Sequence, residues 1–152
     1  MSDTSPAIEL DAVRYAWPGK PLLLDIDRLV IARGERLFLR GPSGSGKSTL
    51  LGLLGGVLTP AAGQVKVLGA DLARMGASER DRYRGDHIGF VFQMFNLIPY
   101  LSVIENVLLP ARFSRRRAAR AARRGPPAAE AARLLAALGL GDAALHARGV
   151  TE

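Results

Sequence analysis

The chain has 152 residues, the size of one ordinary domain, and 48% of them are hydrophobic, which favours a folded globular protein over a disordered one. It contains no cysteine, so disulfides, cysteine-ligated zinc and thiol catalysis are excluded. The formal net charge is +7, and no apolar run approaches the ~18 residues that a membrane-spanning helix needs.

The positive charge is concentrated in one segment. Seven arginines and no acidic residue lie between Arg112 and Arg124, and outside this segment the basic and acidic side chains are equal in number. Such a segment can bind phosphate groups or anionic lipid headgroups, but the interpretation we favour is an arginine–alanine helix with a solvated face. Only Phe113 interrupts the arginines with an aromatic ring, so a base-stacking platform for nucleic acid is not expected.

In chain order, the first predicted elements are two strands, residues 8–15 and 22–31, separated by the turn "WPGKP". Residues 37–40 ("LFLR") are short and apolar, which predicts a strand buried on both faces. A glycine-rich loop follows at once. The leucines of "STLLGLLGGVL" after it predict a helix that packs into the core.

Further along the chain, the alternation in "GQVKVLG" predicts a strand over residues 63–69, and the polar residues 71–86 predict a short helix with its connections. Residues 87–93 ("HIGFVFQ") are rich in β-branched and aromatic side chains and predict another strand.

The last third of the chain is predicted to be helical. Ser102 as N-cap and Glu105 three positions later have the capping-box spacing and predict a helix over 102–109. The sequence "GPP" at 125–127 divides two further helical pieces, and the second of them ends in glycine.

The glycine-rich loop has the complete Walker A pattern, Gly-x-x-x-x-Gly-Lys-Ser, between a predicted strand and a predicted helix. Its glycines let backbone N–H groups point inward and approach phosphates closely, and the helix N-terminus adds the positive end of a dipole. Lys47 is expected to reach the β- and γ-phosphates and the Ser48 hydroxyl to bind Mg²⁺. The pattern therefore predicts a nucleoside triphosphate site. It is formed by the loop residues Gly41, Pro42, Ser43, Gly44, Ser45, Gly46, Lys47, Ser48 and Thr49.

Taken with the later segment "IGFVFQMFNLIPYLSVIENVLLP", the loop "GPSGSGKSTLL" closely resembles the ATP-binding subunits of ABC transporters. The sequence "FQMFNLIPYLSVIENVLLP" is most similar to the branch that includes lipoprotein-releasing and macrolide-export ATPases. The resemblance runs from about Ile8 to the end of the chain. It implies an α/β P-loop NTPase fold. Residues 1–35 would form an N-terminal β subdomain, residues 36–110 the P-loop core with part of a parallel sheet, and residues 111–152 the start of an Ala/Arg-rich helical subdomain.

The resemblance also implies roles for single residues, with ATP and Mg²⁺ as cofactors. Gln93 falls on the family's Q-loop glutamine, whose amide can contact a metal-bound water and sense the γ-phosphate without adding charge. Lys47 and Gln93 would then be the catalytic residues, and Ser48 and Gln93 the metal contacts. The family stacks an aromatic ring on adenine, and Trp17 and Tyr15 are the candidates here. Trp17 is preferred because it precedes Pro-Gly.

The segment Phe92–Tyr100 is unusually apolar for a loop. The resemblance implies that it docks a transmembrane permease subunit, although burial of its side chains in the chain's own core is an equal alternative. The implied protein is cytoplasmic, peripheral at the inner face of the cell membrane, and forms a homodimer of ATPase subunits. No nucleic-acid partner is expected.

Three parts of the family's catalytic machinery are not found in the sequence: the Asp-Glu strand that activates water, the "LSGGQ" signature and the switch histidine. Since the chain ends near the place where the signature is expected, we interpret it as the N-terminal part of an ATPase domain, of low stability by itself. The resemblance implies an ABC-type ATPase, with no general base found in this sequence. The alternatives are an ATP-binding module without hydrolysis and, more weakly, a small P-loop kinase or GTPase.

Overall fold

The computed structural model describes residues 5–94 and 96–149. The chain divides into two compact units, of which the first runs to Arg84 and the second begins at Gly85. This boundary lies inside the middle part of the three-part division expected above, and that division stays a prediction.

The first unit contains a four-stranded sheet in which every pairing is antiparallel and the order is β2-β1-β3-β4. The predicted strands 8–15, 22–31 and 63–69 are confirmed, because each one has an antiparallel neighbour close by in the sequence. The strands are β1 (Ile8–Ala16), β2 (Leu22–Ile31), β3 (Ala62–Val67) and β4 (Ala70–Asp71).

One helix covers the sheet. It is α1 (Lys47–Leu54), whose buried Leu50 and Leu53 face β3. A single 3-10 turn at Leu72–Arg74 and α2 (Ala77–His87) follow, as the polar composition of residues 71–86 predicted. The core of the first unit consists of apolar side chains from the sheet, from α1 and from the 3-10 turn: Leu10, Val13, Tyr15, Ile31, Leu50, Leu53, Val65, Val67 and Leu72.

The second unit is helical, and its first helix, α3 (Val103–Arg112), packs against the three that follow. The predicted capping box is present, since Ser102 Oγ accepts from the Glu105 amide and the Glu105 carboxylate accepts from the Ser102 amide. The "GPP" sequence separates α4 and α5 as predicted, and a proline occupies the first turn of α5. The remaining helices are α4 (Arg115–Ala122), α5 (Pro127–Ala137) and α6 (Ala143–Ala147).

Two predicted strands of a parallel core sheet, residues 37–40 and 87–93, are wrong. His87 belongs to α2, and neither 37–40 nor 88–93 pairs with any other described segment. The side chains of Phe38 and Val91 are 87% and 101% exposed. An apolar segment becomes a buried strand only when a neighbour completes its hydrogen-bond ladder, and within 5–94 and 96–149 no segment takes that place.

A β-bulge in β1 determines which residues of this strand reach the core. The register with β3 shifts by one residue between Asp11 and Arg14, and Ala12 between them has a φ of 48°. The extra residue places Leu10 and Val13 on the same buried face although they are three positions apart. Gly63 of β3 lies against the bulge with a φ of 88°.

We expect Gly63→Ala to destabilise the first unit strongly. A β-carbon at this position would lie 2.3 Å from the Ala12 carbonyl oxygen and 2.5 Å from the Asp11 carbonyl oxygen, and the positive φ adds strain. The expected loss in the free energy of unfolding is at least about 2 kcal/mol, measured by urea denaturation. Gly69→Ala is the matched control, since its φ is also positive, at 83°, but nothing lies within 4 Å; it should cost only about 1 kcal/mol. Equal losses in the two variants would contradict the bulge contact.

Candidate functional site

The glycine-rich loop is tightly wound between residue 40 and α1. Gly44 and Gly46 have φ values of 80° and 87°, a region that residues with a β-carbon rarely adopt. A β-carbon on Gly46 would lie 2.8 Å from Leu24 Cδ2 of β2, and one on Gly41 would lie 2.7 Å from Ser45 Oγ. The loop therefore needs glycine for its backbone angles at Gly44 and Gly46, whereas the nearby Leu24 and Ser45 atoms are ends of side chains that can shift.

The Lys47 side chain folds across this loop. Its ammonium Nζ donates to the carbonyl oxygen of Gly41 at 2.8 Å and to that of Pro42, and lies 3.4 Å from Ser45 Oγ. All these contacts are with the loop itself, so a positive charge is held directly beside its backbone.

The N-terminus of α1 also faces the loop without a side-chain cap. Gly46 is the N-cap, and Leu50 is the first residue whose amide donates along the helix, to the Gly46 carbonyl. The amides of Lys47, Ser48 and Thr49 precede that bond, and the first turn contains no acidic residue. Amide N–H groups, an ammonium and the exposed Ser48 hydroxyl form a donor set that fits nucleotide phosphates with Mg²⁺.

A shallow cavity of about 300 Å³ opens beside the loop. Leu24 of β2 and Leu50 of α1 contribute its apolar wall. The loop contributes the polar wall, with Gly41, Pro42, Ser45, Gly46 and Lys47.

The two aromatic candidates have different surroundings. Tyr15 is buried in the core of the first unit, whereas Trp17 is 45% exposed in the turn after β1. The rings meet edge to face, with centroids 5.3 Å apart and an interplanar angle of 88°. Trp17 is therefore the more exposed of the two rings, and the buried Tyr15 packs against it.

Gln93 lies in an exposed bend of the second unit, and its contact with nucleotide stays a prediction. The apolar segment Phe92–Tyr100 is largely exposed in its described part: Phe92, Met94, Leu97 and Tyr100 are all on the surface. Phe95 lies outside the described residues. The exposure of these side chains favours the docking interpretation of the segment over burial in the core.

Asn106 is a residue that the sequence reasoning missed. Its side-chain amide donates to the carbonyl oxygens of Ile98, Leu101 and Ser102, and its Oδ1 accepts from the Ile98 amide at 2.8 Å. The Asn106 side chain of α3 thus attaches the end of the apolar segment to this helix by hydrogen bonds. An asparagine inside a helix, where its propensity is low, is the sequence signal that was available.

A second missed cluster holds the segment before Gln93. Ser114, the 2% exposed N-cap of α4, donates to the Asp86 carboxylate and accepts from the Arg117 amide. Arg117 donates through Nε to the Gly85 carbonyl at 2.6 Å and through Nη2 to the Ile88 carbonyl at 2.7 Å. The N-terminus of α4 therefore holds residues 85–88. The sequence signal that was available is Ser114 itself, because serine is a residue type preferred at helix N-caps.

The capping box also sets the electrostatics at the start of α3. The hydrogen bond from the Ser102 backbone amide, followed by that from the Ser102 hydroxyl, lowers the pKa of Glu105 below the ordinary glutamate value of 4.5, and Arg112 adds a smaller attraction. Folding of the helix therefore favours the ionised form of the Glu105 carboxyl group.

The sheet, the loop and α1 define a P-loop nucleotide-binding protein. A family model described as ABC transporter matches residues 24–151, and the chain belongs to the ABC transporter family. None of the helices in the described part of the chain has the length and apolar character for crossing a membrane.

The relatives place the chain in the expected branch. It is 41% identical over 148 residues to the lipoprotein-releasing system ATP-binding protein LolD of Anaeromyxobacter dehalogenans, covering 95% of this chain and 59% of the relative. It is 43% identical over 145 residues to the macrolide export ATP-binding/permease protein MacB of Marinobacter nauticus, covering 93% of this chain and 21% of the relative. The resemblance to lipoprotein-releasing and macrolide-export ATPases is thereby confirmed.

Among solved structures, the chain is similar to the ATP-binding cassette MJ0796 in a dimeric post-hydrolysis state bound to ADP and Pi. The TM-score is 0.73 and the identity 32%, over 95% of this chain and 62% of that one. The expected P-loop ATPase fold class is confirmed. The chain spans about three fifths of the length of LolD and of MJ0796, and a smaller share of MacB.

The first prediction from the site concerns pH. Because the pKa of Glu105 is lower in the folded chain, its contribution to stability is present above the ordinary value of 4.5 and is lost as the pH falls through the lowered pKa. Glu105→Gln keeps an acceptor at the cap but does not titrate. We expect wild type to lose its stability advantage over the variant as the pH falls from about 6 to below the ordinary glutamate value of 4.5, in parallel urea titrations. A constant difference over this range would contradict the capping contribution.

The second prediction concerns Asn106. Asn106→Ala leaves the Ile98 amide and three carbonyls without their side-chain partner, so the amide protons of Ile98 and Leu101 should exchange at least about tenfold faster. Hydrogen exchange with amide-resolved detection measures this. Asn96→Gly is the control, because it removes the other asparagine of the segment at a φ of 45° that glycine adopts readily. Unchanged protection of the Ile98 and Leu101 amides in Asn106→Ala would contradict the attachment of this segment to α3 by the Asn106 side chain.

Proposed function

We propose that the chain binds ATP and Mg²⁺ at Gly41–Thr49 and is the nucleotide-binding part of a transporter ATPase, which couples ATP binding and hydrolysis to a membrane subunit in export or lipoprotein release. The observation that carries the proposal is the loop itself. Two glycines at positive φ, an uncapped helix N-terminus and the ammonium of Lys47 converge on one small region.

Each polar group of the loop has a role in this proposal. Lys47 exchanges its carbonyl partners for the β- and γ-phosphates, which as anions accept stronger hydrogen bonds. The exposed hydroxyl of Ser48 holds Mg²⁺, and the amide of Thr49 meets the α-phosphate. The bound metal supplies positive charge that offsets the charge developing on the phosphate oxygens.

The adenine ring stacks on Trp17 in this proposal. Support comes from the exposure of Trp17 and from its edge-to-face contact with the buried Tyr15. Stacking on an indole is tolerant of the base, since every base has a π face.

Gln93 acts as the γ-phosphate sensor and metal contact, and the apolar segment Phe92–Tyr100 docks the permease. Support comes from the exposure of both in the second unit and from relatives whose names include an ATP-binding/permease protein. The dimeric state described for MJ0796 supports a homodimer of ATPase subunits. The proposed location of the protein is the cytoplasmic face of the cell membrane.

Nucleotide binding can be tested with the chain's single tryptophan, Trp17, as the reporter. Titration with MgATP should change its fluorescence, and Lys47→Ala should weaken the affinity by at least about tenfold, because it removes charge-assisted hydrogen bonds to phosphate. Lys66→Ala is the matched control, since Lys66 lies in β3 and its ion pair with Glu9, at 3.8 Å, is on the surface. Its affinity should equal that of wild type.

Three outcomes are informative. Equal affinity in Lys47→Ala and wild type would overturn the loop as the site. Binding detected by calorimetry without a fluorescence change would overturn stacking on Trp17. Phosphate release, measured separately, distinguishes an ATPase from a module that only binds ATP: saturable binding without turnover favours the module.

A further inference from the structure

The second unit contains a cavity that the proposed function does not use. It has a volume of about 420 Å³ and lies between α3, α4 and α5, within the range of small-molecule sites. Its apolar wall is formed by Val107 and Leu108 of α3 and by Ala131 and Leu134 of α5. Every lining residue belongs to the second unit, so the cavity is independent of the nucleotide loop.

The charge at this cavity is strongly positive. Four arginines and one glutamate line it: Arg117, Arg120, Arg124, Arg133 and Glu130. Three of the arginines belong to the basic run between 112 and 124, which had no assigned role. The structure therefore divides that run into side chains that line the cavity and side chains that do not.

The lining arginines differ in how far their charge is already neutralised. Arg117 is held by two backbone carbonyls, and Arg133 forms two hydrogen bonds with Glu130, at 2.7 and 2.8 Å. Arg124 lies 3.7 Å from Glu130, too far for a hydrogen bond. The Arg120 side chain has no hydrogen bond or ion pair with any residue in 5–94 and 96–149.

Glu130 is not a competing anion for Arg120. Its hydrogen bonds from Arg133 lower the pKa of Glu130, so it stays ionised and committed to that partner. One carboxylate shared by Arg133 and Arg124 leaves the cavity with uncompensated guanidinium charge. A guanidinium is well suited to bidentate binding of phosphate or carboxylate.

We propose that this cavity binds an anionic amphiphile, with a phosphate or carboxylate headgroup on Arg120 and Arg124 and an alkyl chain along Val107, Leu108 and Leu134. The lining matches both parts of the ligand: α4 contributes Arg120, which has no side-chain partner in 5–94 and 96–149, and Arg124, which lies 3.7 Å from Glu130, and α3 and α5 contribute aliphatic side chains. None of the described residues that line the cavity is aromatic, which disfavours a nucleobase.

The test uses n-decyl phosphate as the probe, at monomeric concentrations, with binding to the chain followed by calorimetry and by amide chemical shifts. We expect saturable binding with shifts at Val107, Ala131 and Leu134. Arg120→Gln should weaken it about tenfold, since it removes a charge-assisted contact. Arg123→Gln is the matched control, because Arg123 belongs to the same basic run and does not line the cavity; it should bind like wild type.

A second pair of variants tests the apolar part without changing charge. Ala121 lines the cavity and its neighbour Ala122 does not. Ala121→Trp should fill the cavity and abolish binding of decyl phosphate, whereas Ala122→Trp should not. Far-ultraviolet circular dichroism of each variant reports whether the helices are retained.

Separate arms identify the source of the headgroup. Inorganic phosphate alone should bind far more weakly than decyl phosphate, and vesicles of phosphatidylglycerol, but not of phosphatidylcholine, should bind if the natural ligand is a membrane lipid. Binding of decyl phosphate without binding of the vesicles supports a soluble amphiphile instead. Equal affinity for inorganic and decyl phosphate, equal losses in Arg120→Gln and Arg123→Gln, or no binding of decyl phosphate would each overturn the proposal.

Discussion

The structure depends on the requirement that backbone N–H and C=O groups find partners. In the first unit, β1, β2 and β3 satisfy each other in antiparallel pairs, and α1 satisfies its own amides except for the first turn. That exception is where the proposed chemistry lies. The first amides of α1 keep donors available because no side chain caps them, and the Lys47 ammonium, bonded to the loop carbonyls, adds a positive charge to the same region.

The sheet is what holds this loop in place. Leu24 of β2 lies against Gly46, and Leu50 of α1 is buried in the core of the first unit. Phosphate binding by backbone amides needs such rigidity, because the donors must already point inward when the ligand arrives. The same sheet carries Tyr15 and, through it, the exposed ring of Trp17.

In the second unit, side chains of two helices organise the irregular chain around Gln93. Ser114 and Arg117 of the α4 N-terminus hold residues 85–88, and Asn106 of α3 holds residues 98–102. The bend with Gln93 and the exposed apolar side chains thus lie between two hydrogen-bonded anchors. A shift of α3 relative to α4 would move these anchors apart, which would link the proposed docking surface to the proposed sensor glutamine physically.

The sequence by itself determined the features whose causes are local. The Walker pattern, the capping box at Ser102 and the alternation in β1, β2 and β3 all act over a few residues, and the structure contains each of them. The sequence also identified the family, since two motifs at the right interval are jointly specific. It did not reveal the β-bulge at Ala12, because the bulge depends on the contact with Gly63 from a distant strand.

Only the tertiary structure decided the rest. Residues 37–40 and 88–92 have the composition of buried strands, but a strand requires a neighbour to complete its ladder, and composition does not say whether one is present. The roles of Asn106 and Arg117 and the division of the arginine run into paired and unpaired charges likewise depend on what lies opposite each side chain. Local patterns fix what a segment can form, whereas its partners in space decide what it does form.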